Sequence, residues 1–256
     1  MRDRLQQLAL SHRHYGYRRL GVLLRREGWA TNHKRVLRLL RQDNLLCLRR
    51  KAYVPSTTNS AHGWRVFPNL VRGIQLSAIN QLWVADITYV RLGEEYIYLA
   101  VVLDAYSRRV IGWALDRHLH ASLARKALCM AIDSRTITPG LIHHSDRGVQ
   151  YACYDYVQQL ADNAITPSMS RIGNPYDNAK AESFMKTLKQ EEADGRCYRT
   201  LDQARQQIGQ FLELTYNLER LHSALGYHSP IDYECNLMAS PILKDESPNR
   251  SLQPVP

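Results

Sequence analysis

The chain lacks the features that mark secreted and membrane proteins. It contains no run of about 18 apolar residues, so we expect no membrane-spanning helix and no membrane partner. Its N-terminus has no apolar h-region of a signal peptide. Its five cysteines are odd in number, lie far apart and form no Cys-x-x-Cys pair, which argues against a disulfide framework and against a zinc site. We therefore expect reduced thiols and a cytoplasmic protein.

Acidic residues are scarce at the start of the chain. Residues 1–51 hold 14 lysines and arginines against three acids, a balance of +11, whereas the remaining 205 residues have a balance of −1. Positive charge concentrated in one segment favours a polyanionic partner, and nucleic acid is the first candidate. A solvated helix face is the alternative explanation for the same composition.

The N-terminal segment is predicted to form two helices joined by a tight turn. Apolar spacing predicts a helix over residues 5–28 that stops at Gly28, and a second helix that begins at Thr31 or Asn32. The second helix carries a basic face. This pattern is typical of a helix-turn-helix DNA-binding domain, which we assign to residues 1–47. The residues expected to contact DNA are Lys34, Arg35, Arg38 and Arg41.

The rest of the chain is predicted to contain one larger domain. We expect an irregular basic linker at residues 48–79, a core domain at residues 80–236 and a disordered tail at residues 237–256. The order of elements in the core indicates an α/β fold, with a mixed sheet and helices on both faces. Strands are predicted at residues 82–90, 95–104, 109–116, 141–145 and 165–169, and helices at residues 121–134, 151–163, 177–192 and 200–219.

Three carboxylates stand out against this pattern. Asp86 interrupts a strand with apolar residues on both faces, where a charge is costly unless it is paired or binds a metal. Asp146 ends a short strand in the stretch HSDRGVQY, where a cap, a turn residue and a metal ligand all fit. Glu182 lies in the first turns of a helix, where a surface pair with Lys186 is the plain alternative.

These three acids become informative if they meet at the strand ends, where sites form in α/β sheets. Two aspartates and a glutamate supply the hard oxygen ligands that Mg²⁺ or Mn²⁺ prefers. Two ions held in this way activate a water or hydroxyl and stabilise the leaving oxygen of a phosphodiester. Together with the basic N-terminal segment, Asp86, Asp146 and Glu182 predict metal-dependent phosphoryl transfer on nucleic acid.

The motifs around the acids resemble those of a known family. WVADITYV contains Asp86, HSDRGVQY contains Asp146, and SRIGNPYDNAKAESFMKTLK contains Glu182, with 35 residues between the last two acids. Further matching stretches are VVLDAYSRRVIGW, YNLERLHSALGYHSPIDYE and HRHYGYRRLGVLLRREGW. Together they resemble the B-frame product of bacterial insertion-sequence transposases, in the DDE superfamily that includes retroviral integrases. The resemblance covers about residues 12–236.

The resemblance implies a ribonuclease-H-like integrase core preceded by a helix-turn-helix domain. It implies Asp86, Asp146 and Glu182 as the catalytic, metal-binding triad, and Lys186 and Lys189 as contacts to the DNA end. It further implies DNA strand cleavage followed by strand transfer, in a homo-oligomer that bridges two ends of the insertion sequence. The family's A-frame segment is absent from this chain, so an A-frame partner or a fusion is also expected.

Several other groups have plainer interpretations. His144 and Ser145 beside Asp146 could form part of a hydrolytic triad, but the sequence has no Gly-x-Ser-x-Gly elbow to support one. Asp104 is expected to hold a turn and Asp177 to cap a helix. The roles of three C-terminal residues stay open between DNA backbone contact and packing: Arg220, His222 and Tyr227.

Two other functions are compatible with the sequence. The first is a catalytically inactive DNA-binding remnant or a repressor of transposition, which metal-dependent nicking distinguishes from an active transposase. The second is a stand-alone ribonuclease-H-like nuclease that cuts RNA–DNA hybrids, which the basic N-terminal helices disfavour.

Overall fold

The computed structural model describes residues 1–47, 63–171, 175–194 and 196–239. Residues 48–62 of the predicted linker and residues 240–256 of the predicted tail lie outside the described residues. Residues 63–79, which the sequence assigned to the linker, contain no helix or strand. None of the described helices is long and apolar enough to cross a membrane.

The N-terminal unit contains three helices where the sequence predicted two. The helix predicted over residues 5–28 is wrong, because the chain leaves a helix at His12 and enters the next one at Gly16, whose ψ of 168° is extended. The start predicted for the next helix is confirmed, since the Asn32 side chain caps it by accepting the Arg35 N–H. The helices of this three-helix unit are α1 (Arg2–Ser11), α2 (Tyr17–Arg26) and α3 (His33–Gln42).

The three-helix unit is docked on the C-terminal part of the chain. Leu221 packs into its small apolar core. The Tyr15 hydroxyl accepts the Leu221 backbone N–H at 3.0 Å, and the Arg26 guanidinium donates to the Tyr227 carbonyl at 2.9 Å. The buried side chains that the helices contribute to this core are Leu5, Leu8, Ala9, Leu20, Leu24, Val36 and Leu40.

A five-stranded sheet forms the centre of the rest of the chain. Its strands are β1 (Leu82–Leu92), β2 (Glu95–Asp104), β3 (Val110–Asp116), β4 (Ile142–Ser145) and β5 (Thr166–Met169). Their order across the sheet is β3-β2-β1-β4-β5. β1, β2 and β3 pair antiparallel, whereas β4 is parallel to both β1 and β5. All five predicted strands are present, and the mixed α/β sheet is confirmed.

Helices cover both faces of the sheet. The remaining helices are α4 (Ala121–Asp133), α5 (Val149–Ala152), α6 (Tyr154–Asp162), α7 (Ala179–Leu188), α8 (Leu201–Gln210) and α9 (Pro230–Ala239). Residues of α4, α5 and α6 pack on one face of the sheet, and residues of α7 and α8 pack on the other. π-Helical turns at Lys189–Ala193 and Phe211–Glu219 extend α7 and α8, and 3₁₀ turns lie at Pro175–Asn178 and Ser223–Leu225.

Three helix predictions need correction. The helix predicted over residues 151–163 is split into α5 and α6, because Cys153 has an extended ψ of 150° between them. The helices predicted over residues 177–192 and 200–219 are present, but each widens from α-helical to π-helical before it ends. The sequence did not predict α9, which runs three residues into the segment assigned to the tail.

Apolar side chains fill both faces of the sheet, as the pattern of β1 predicted. Alternate residues of a strand face opposite sides. Val84 packs in the cluster beneath α7 and α8, whereas Trp83 and Ala85 pack in the cluster beneath α4, α5 and α6. By the same alternation Asp86 lies on the Val84 side of the sheet, which is the side that α7 covers.

The backbone of α4 lies directly against β3 at Gly112. A Cβ at this position would lie 2.1 Å from the Ala127 carbonyl oxygen and 2.7 Å from the Ala131 backbone nitrogen. Both atoms belong to the helix backbone, so a side-chain movement cannot relieve the clash. Glycine at this position therefore sets the distance between α4 and the sheet.

We expect Gly112→Ala to lower the free energy of unfolding by about 1–3 kcal/mol, because a methyl group forces the helix backbone away from the sheet. Urea denaturation measures this change. Gly63→Ala is the control, since its added Cβ would meet no atom of the described residues within 4 Å. Equal stability of the two variants would contradict the direct packing of α4 on β3.

Candidate active site

The sheet brings two of the predicted site residues to the same level. β1 and β4 run parallel, and Val84 pairs with His144. Asp86 and Asp146 follow this pair by two residues in each strand direction, and the charge of Asp146 acts on the Asp86 carboxylate. Both carboxylates are partly buried. The end of β4 thus lies against the middle of β1, the strand that contains Asp86.

Asp86 occupies an unfavourable place for a negative charge. Its carboxylate accepts the Ile87 N–H at 2.8 Å. Burial, followed by the charges of Asp146 and Glu182, raises the pKa of Asp86 to about 7, against the opposing effects of the Ile87 N–H and of Lys189. The three predicted acids therefore lie close enough to influence one another and form one electrostatic site.

Asp146 follows β4 directly and turns the chain into α5. Its Oδ1 atom accepts the Gly148 N–H at 2.9 Å. A Cβ at Gly148 would lie 3.0 Å from the same oxygen, so glycine leaves room for the carboxylate. Asp146 is thus a turn residue, and this role is compatible with metal binding because a carboxylate has two oxygens.

Glu182 belongs to α7, whose start is tied to β1. The Asn178 Nδ2 atom donates to the carbonyl of Ala85, the residue before Asp86, at 3.0 Å. α7 covers the face of the sheet on which Asp86 lies, and Glu182 is exposed one turn into the helix. The Asn178 contact therefore holds the N-terminal end of α7, which carries Glu182, against the strand that contains Asp86.

The sequence missed two residues beside these acids. Burial, followed by Tyr156 and the charges of Asp146 and Asp86, raises the pKa of Tyr151 well above its usual value. The Tyr151 hydroxyl and the Asn178 Oδ1 atom are enclosed and have no hydrogen-bond partner among the described residues. Both lie in the quoted motifs, but only the packed structure shows that their oxygens are enclosed beside the acids. A hydrated cation or a polar substrate would satisfy such atoms.

The donor chemistry of the site suits a hard divalent cation, although its ligands are not gathered into one shell. Asp86, Asp146 and Glu182 supply carboxylate oxygens, which Mg²⁺ and Mn²⁺ prefer. Their mutual repulsion at Asp86 is what a bound cation relieves. Within the described ranges, however, no three His, Cys, Asp or Glu side chains are placed to hold a metal ion together.

The two lysines predicted on α7 have different environments. Lys186 is exposed. Lys189 is half-buried, with its Nζ atom 4.0 Å from the centroid of the Tyr89 ring. Burial lowers the pKa of Lys189, while Asp194 and Asp86 act in the opposite direction. Lys189 therefore offsets part of the negative charge at Asp86, a role that the sequence did not predict for it.

The basic residues predicted for the second helix lie on the surface of α3. The buried residues of this helix are Val36 and Leu40, so its opposite side faces solvent. Four exposed cations on one ten-residue helix form a positive surface. We call this surface the α3 basic face, and it consists of Lys34, Arg35, Arg38 and Arg41.

Asp104 holds a turn, as predicted, and is fully buried. Its Oδ1 atom accepts the backbone N–H groups of Tyr106 and Ser107, each at 2.9 Å. Its Oδ2 atom accepts the Asn80 N–H at 2.6 Å. These bonds account for the carboxylate without a metal.

His144 and Ser145 do not form a hydrolytic triad with Asp146. The two ring nitrogens of His144 lie 2.9 Å and 3.0 Å from the hydroxyl oxygens of Ser168 and Ser170. Burial lowers the pKa of His144 to about 4, so the ring is neutral. His144 therefore packs β4 against the end of β5.

The prediction that Asp177 caps a helix is wrong. The position that caps α7 is occupied by Asn178. Asp177 instead accepts the backbone N–H of Arg171 at 2.9 Å and two further bonds from its guanidinium. These bonds hold the pKa of Asp177 well below its usual range. Asp177 thus ties together the two ends of the segment that leads into α7.

Of the three C-terminal residues whose roles were left open, Arg220 packs within the protein. Its guanidinium donates two hydrogen bonds to Glu191, at 2.9 Å and 2.7 Å, and is buried. His222 is also buried, whereas Tyr227 is half-buried and has a φ of +63°. Arg220 is thus not available as a surface contact to DNA.

Comparison with known proteins identifies the two parts of the chain. Residues 77–175 and residues 163–230 match the family described as integrase core domain, and residues 2–53 match the HTH-like domain. By structure, the chain is similar to a chain of the simian T-cell lymphotropic virus intasome, solved by cryo-electron microscopy in complex with PP2A regulatory subunit B56 gamma. The two are 16% identical with a TM-score of 0.53, over 98% of this chain and 78% of that one. This likeness confirms the expected integrase-type, ribonuclease-H-like fold.

Two relatives are similar over most of their length. A 31 kDa protein of insertion element IS600 from Shigella sonnei is 41% identical over 217 residues, which are 84% of this chain and 79% of the relative. The transposase for insertion sequence element IS904 from Lactococcus lactis is 37% identical over 230 residues, 88% of this chain and 90% of the relative. With this identity over most of both proteins, the chain belongs to the family of bacterial insertion-sequence transposases with an integrase core domain.

Proposed function

We propose that this protein is a DDE transposase that cuts DNA strands and transfers them during transposition of an insertion sequence. One observation carries the proposal. β1 pairs in parallel with β4, the strand that Asp146 follows, and the charges of Asp146 and Glu182 both act on the Asp86 carboxylate. In a chain of the transposase family, such a group of acids is suited to phosphoryl transfer.

Asp86, Asp146 and Glu182 are the residues that would hold the metal. We propose two ions, either Mg²⁺ or Mn²⁺. When bound, they would polarise a water or hydroxyl nucleophile and stabilise the charge on the leaving oxygen. Asp86 must lose its proton to act as a ligand, and its raised pKa shows that the site disfavours that charge until a cation compensates it. Enclosed oxygens of Tyr151 and Asn178 offer further hydrogen-bonding positions beside the acids.

DNA is the proposed partner of two surfaces. The α3 basic face suits sequence-independent contact with backbone phosphates. Lys186, exposed one turn beyond Glu182, would contact a strand held at the acids, and Lys189 would mainly offset their charge. A homo-oligomer that bridges two element ends, and an A-frame partner or fusion, complete the proposal.

The second candidate is a DNA-binding protein without catalysis, such as a repressor of transposition. The observation in its favour is that the described residues contain no preformed cluster of three metal ligands. The two candidates share the α3 basic face, so they differ in cleavage and not in DNA binding.

We expect Asp146→Asn to lower the rate of metal-dependent nicking and strand transfer by at least about 100-fold, because outer-shell changes alone cost 10- to 100-fold in metal sites. Labelled duplexes that carry the ends of the insertion sequence, with Mn²⁺ or Mg²⁺, measure both steps. Asp202→Asn is the matched control, since Asp202 is exposed on α8 and its side chain is 93% accessible. If wild type binds these ends and never cuts them, with an A-frame segment supplied, the protein is the binding-only candidate.

Metal affinity should depend on pH in a direction set by Asp86. Below a pKa of about 7 a proton occupies the carboxylate, so the apparent affinity for Mn²⁺ should rise about tenfold per pH unit and level off above pH 7. Titration calorimetry between pH 5.5 and pH 8.5, roughly 1.5 units on either side of that pKa, measures how the affinity for Mn²⁺ changes with pH. Asp86→Asn should bind Mn²⁺ weakly with no such slope. An affinity for wild type that does not change with pH would remove Asp86 from the metal site.

DNA affinity should fall with salt in proportion to the phosphates that the α3 basic face contacts. Neutralising two of its residues, Arg38→Gln with Arg41→Gln, should reduce the slope of log affinity against log salt by about 1.8. The control is Arg125→Gln with Lys126→Gln on α4, which lies on the opposite face of the sheet from α7. The same slope in both double variants would show that α3 does not contact DNA.

A further inference from the structure

A second charged site lies on another side of α7. A cavity of about 130 Å³ opens where the three-helix unit, the sheet and the C-terminal segment meet. Lys180, Ser183 and Thr187 line it from α7, whereas Glu182 and Lys186 do not. The cavity is therefore separate from the acids of the candidate active site. It has room for several water molecules or for one tetrahedral oxyanion.

The cavity contains more positive than negative charge. Four cations line it: Arg19, Arg108, Lys180 and Arg220. Two carboxylates lie within electrostatic reach, Asp104 in the wall and Glu191 behind Arg220. Because buried charges in proteins are normally paired, a surplus of two cations in a partly enclosed cavity favours a bound anion.

The two carboxylates are already engaged. Glu191 accepts two hydrogen bonds from Arg220, at 2.9 Å and 2.7 Å. Asp104 accepts the backbone N–H groups of its own turn and of Asn80. Among the described residues, neither Arg19 nor Arg108 forms an ion pair with a carboxylate. Lys180 donates to the Ala105 carbonyl at 2.8 Å and feels the charge of Asp104. Arg220 is held by Glu191, so the guanidiniums of Arg19 and Arg108 are the ones left to bind an anion.

A buried histidine in the wall has an unsatisfied atom. His222 is 7% exposed, and its Nε2 atom has no hydrogen-bond partner among the described residues. The ring packs edge-on against Tyr216, with 5.0 Å between centroids. Burial and the positive charges of Arg220, Arg19 and Arg108 lower the pKa of His222 to about 3. A neutral imidazole in this place can donate an N–H to an anion.

We propose that this cavity is an oxyanion site that binds one phosphate group. Arg19 and Arg108 provide guanidinium donors whose planar forks match phosphate oxygens, and His222 provides a further donor. The phosphate belongs either to a DNA backbone that crosses this junction or to a free phosphate ion. Both ligands present the same oxygens.

A phosphate in this cavity would contact two separate parts of the protein. Arg19 belongs to α2 of the three-helix unit, and Arg108 belongs to the turn between β2 and β3. A phosphate held by both bridges the three-helix unit and the integrase core. Binding at this junction stabilises the docked arrangement, because a ligand that binds only the folded form stabilises that form.

Inorganic phosphate is the first probe, used without divalent metal so that the result does not depend on the proposed chemistry. Wild type is compared with Arg19→Gln and with Arg108→Asn, since asparagine tolerates the φ of +61° at residue 108. The control is Arg18→Gln, because Arg18 is the exposed neighbour of Arg19 on α2 and does not line the cavity. Thermal unfolding is followed in phosphate and in chloride at equal ionic strength.

Wild type and the Arg18 variant should show a saturable rise in melting temperature with phosphate. The apparent affinity should fall about 10- to 100-fold in the two cavity variants, as expected for the loss of a charge-assisted hydrogen bond. In chloride, Arg108→Asn should be no less stable than wild type, since the substitution removes a surplus charge. Stabilisation that is equal in phosphate and chloride, or equal in all four proteins, would mean adventitious ions only and would overturn the assignment to a free phosphate ion.

DNA distinguishes the two sources of the phosphate. Duplexes carrying one neutral methylphosphonate at successive positions are titrated against wild type and Arg19→Gln in EDTA. If the ligand is a backbone phosphate, one position weakens binding to wild type and has no effect on the variant, a coupling that identifies the pair. If neither a coupled position nor a specific phosphate effect is found, the cavity is not a phosphate site, whatever the protein does at its acids.

Discussion

The parallel pairing of β1 with β4 is the contact on which the proposed chemistry depends. It brings the strand that contains Asp86 against the strand that Asp146 follows, and the charge of Asp146 raises the pKa of Asp86. A slip of one residue would turn Asp86 toward the opposite face of the sheet, away from α7. Apolar side chains pack on both faces of β1, so Asp86 is the residue of this strand for which the choice of face matters most.

One side of α7 faces an excess of negative charge, and another side faces an excess of positive charge. On one side, burial and like charges raise the pKa of Asp86, and a cation relieves the repulsion. On the other side, Arg19 and Arg108 stand without carboxylate partners among the described residues, and an anion relieves theirs. Each site costs folding free energy, since like charges are held together out of water. A metal ion and a phosphate are the complementary pair of ligands that a DNA-processing protein meets together.

The sequence predicted what periodicity and anomaly can show. The sequence located all five strands, with alternation argued for β1, and a charge within the apolar run of β1 was enough to single out Asp86. The helix predictions failed at two breaks in the chain, between α1 and α2 and at Cys153 between α5 and α6. At both places the sequence was read as one continuous helix. The unsatisfied oxygen of Tyr151 and the cationic cavity could not be predicted, because residues far apart in the sequence create them only by packing.

The docking of the three-helix unit follows from the same packing. Tyr15 accepts the Leu221 N–H, and Leu221 itself completes the apolar core of the unit. The segment that begins at Arg220 therefore contacts both parts of the protein. Leu221 packs with the N-terminal helices, and Arg220 is held by Glu191 in the π-helical turn that follows α7. α7 carries Glu182 on one side and lines the cavity with another. A DNA molecule that contacts the three-helix unit would therefore act on a junction that includes the helix of the candidate active site.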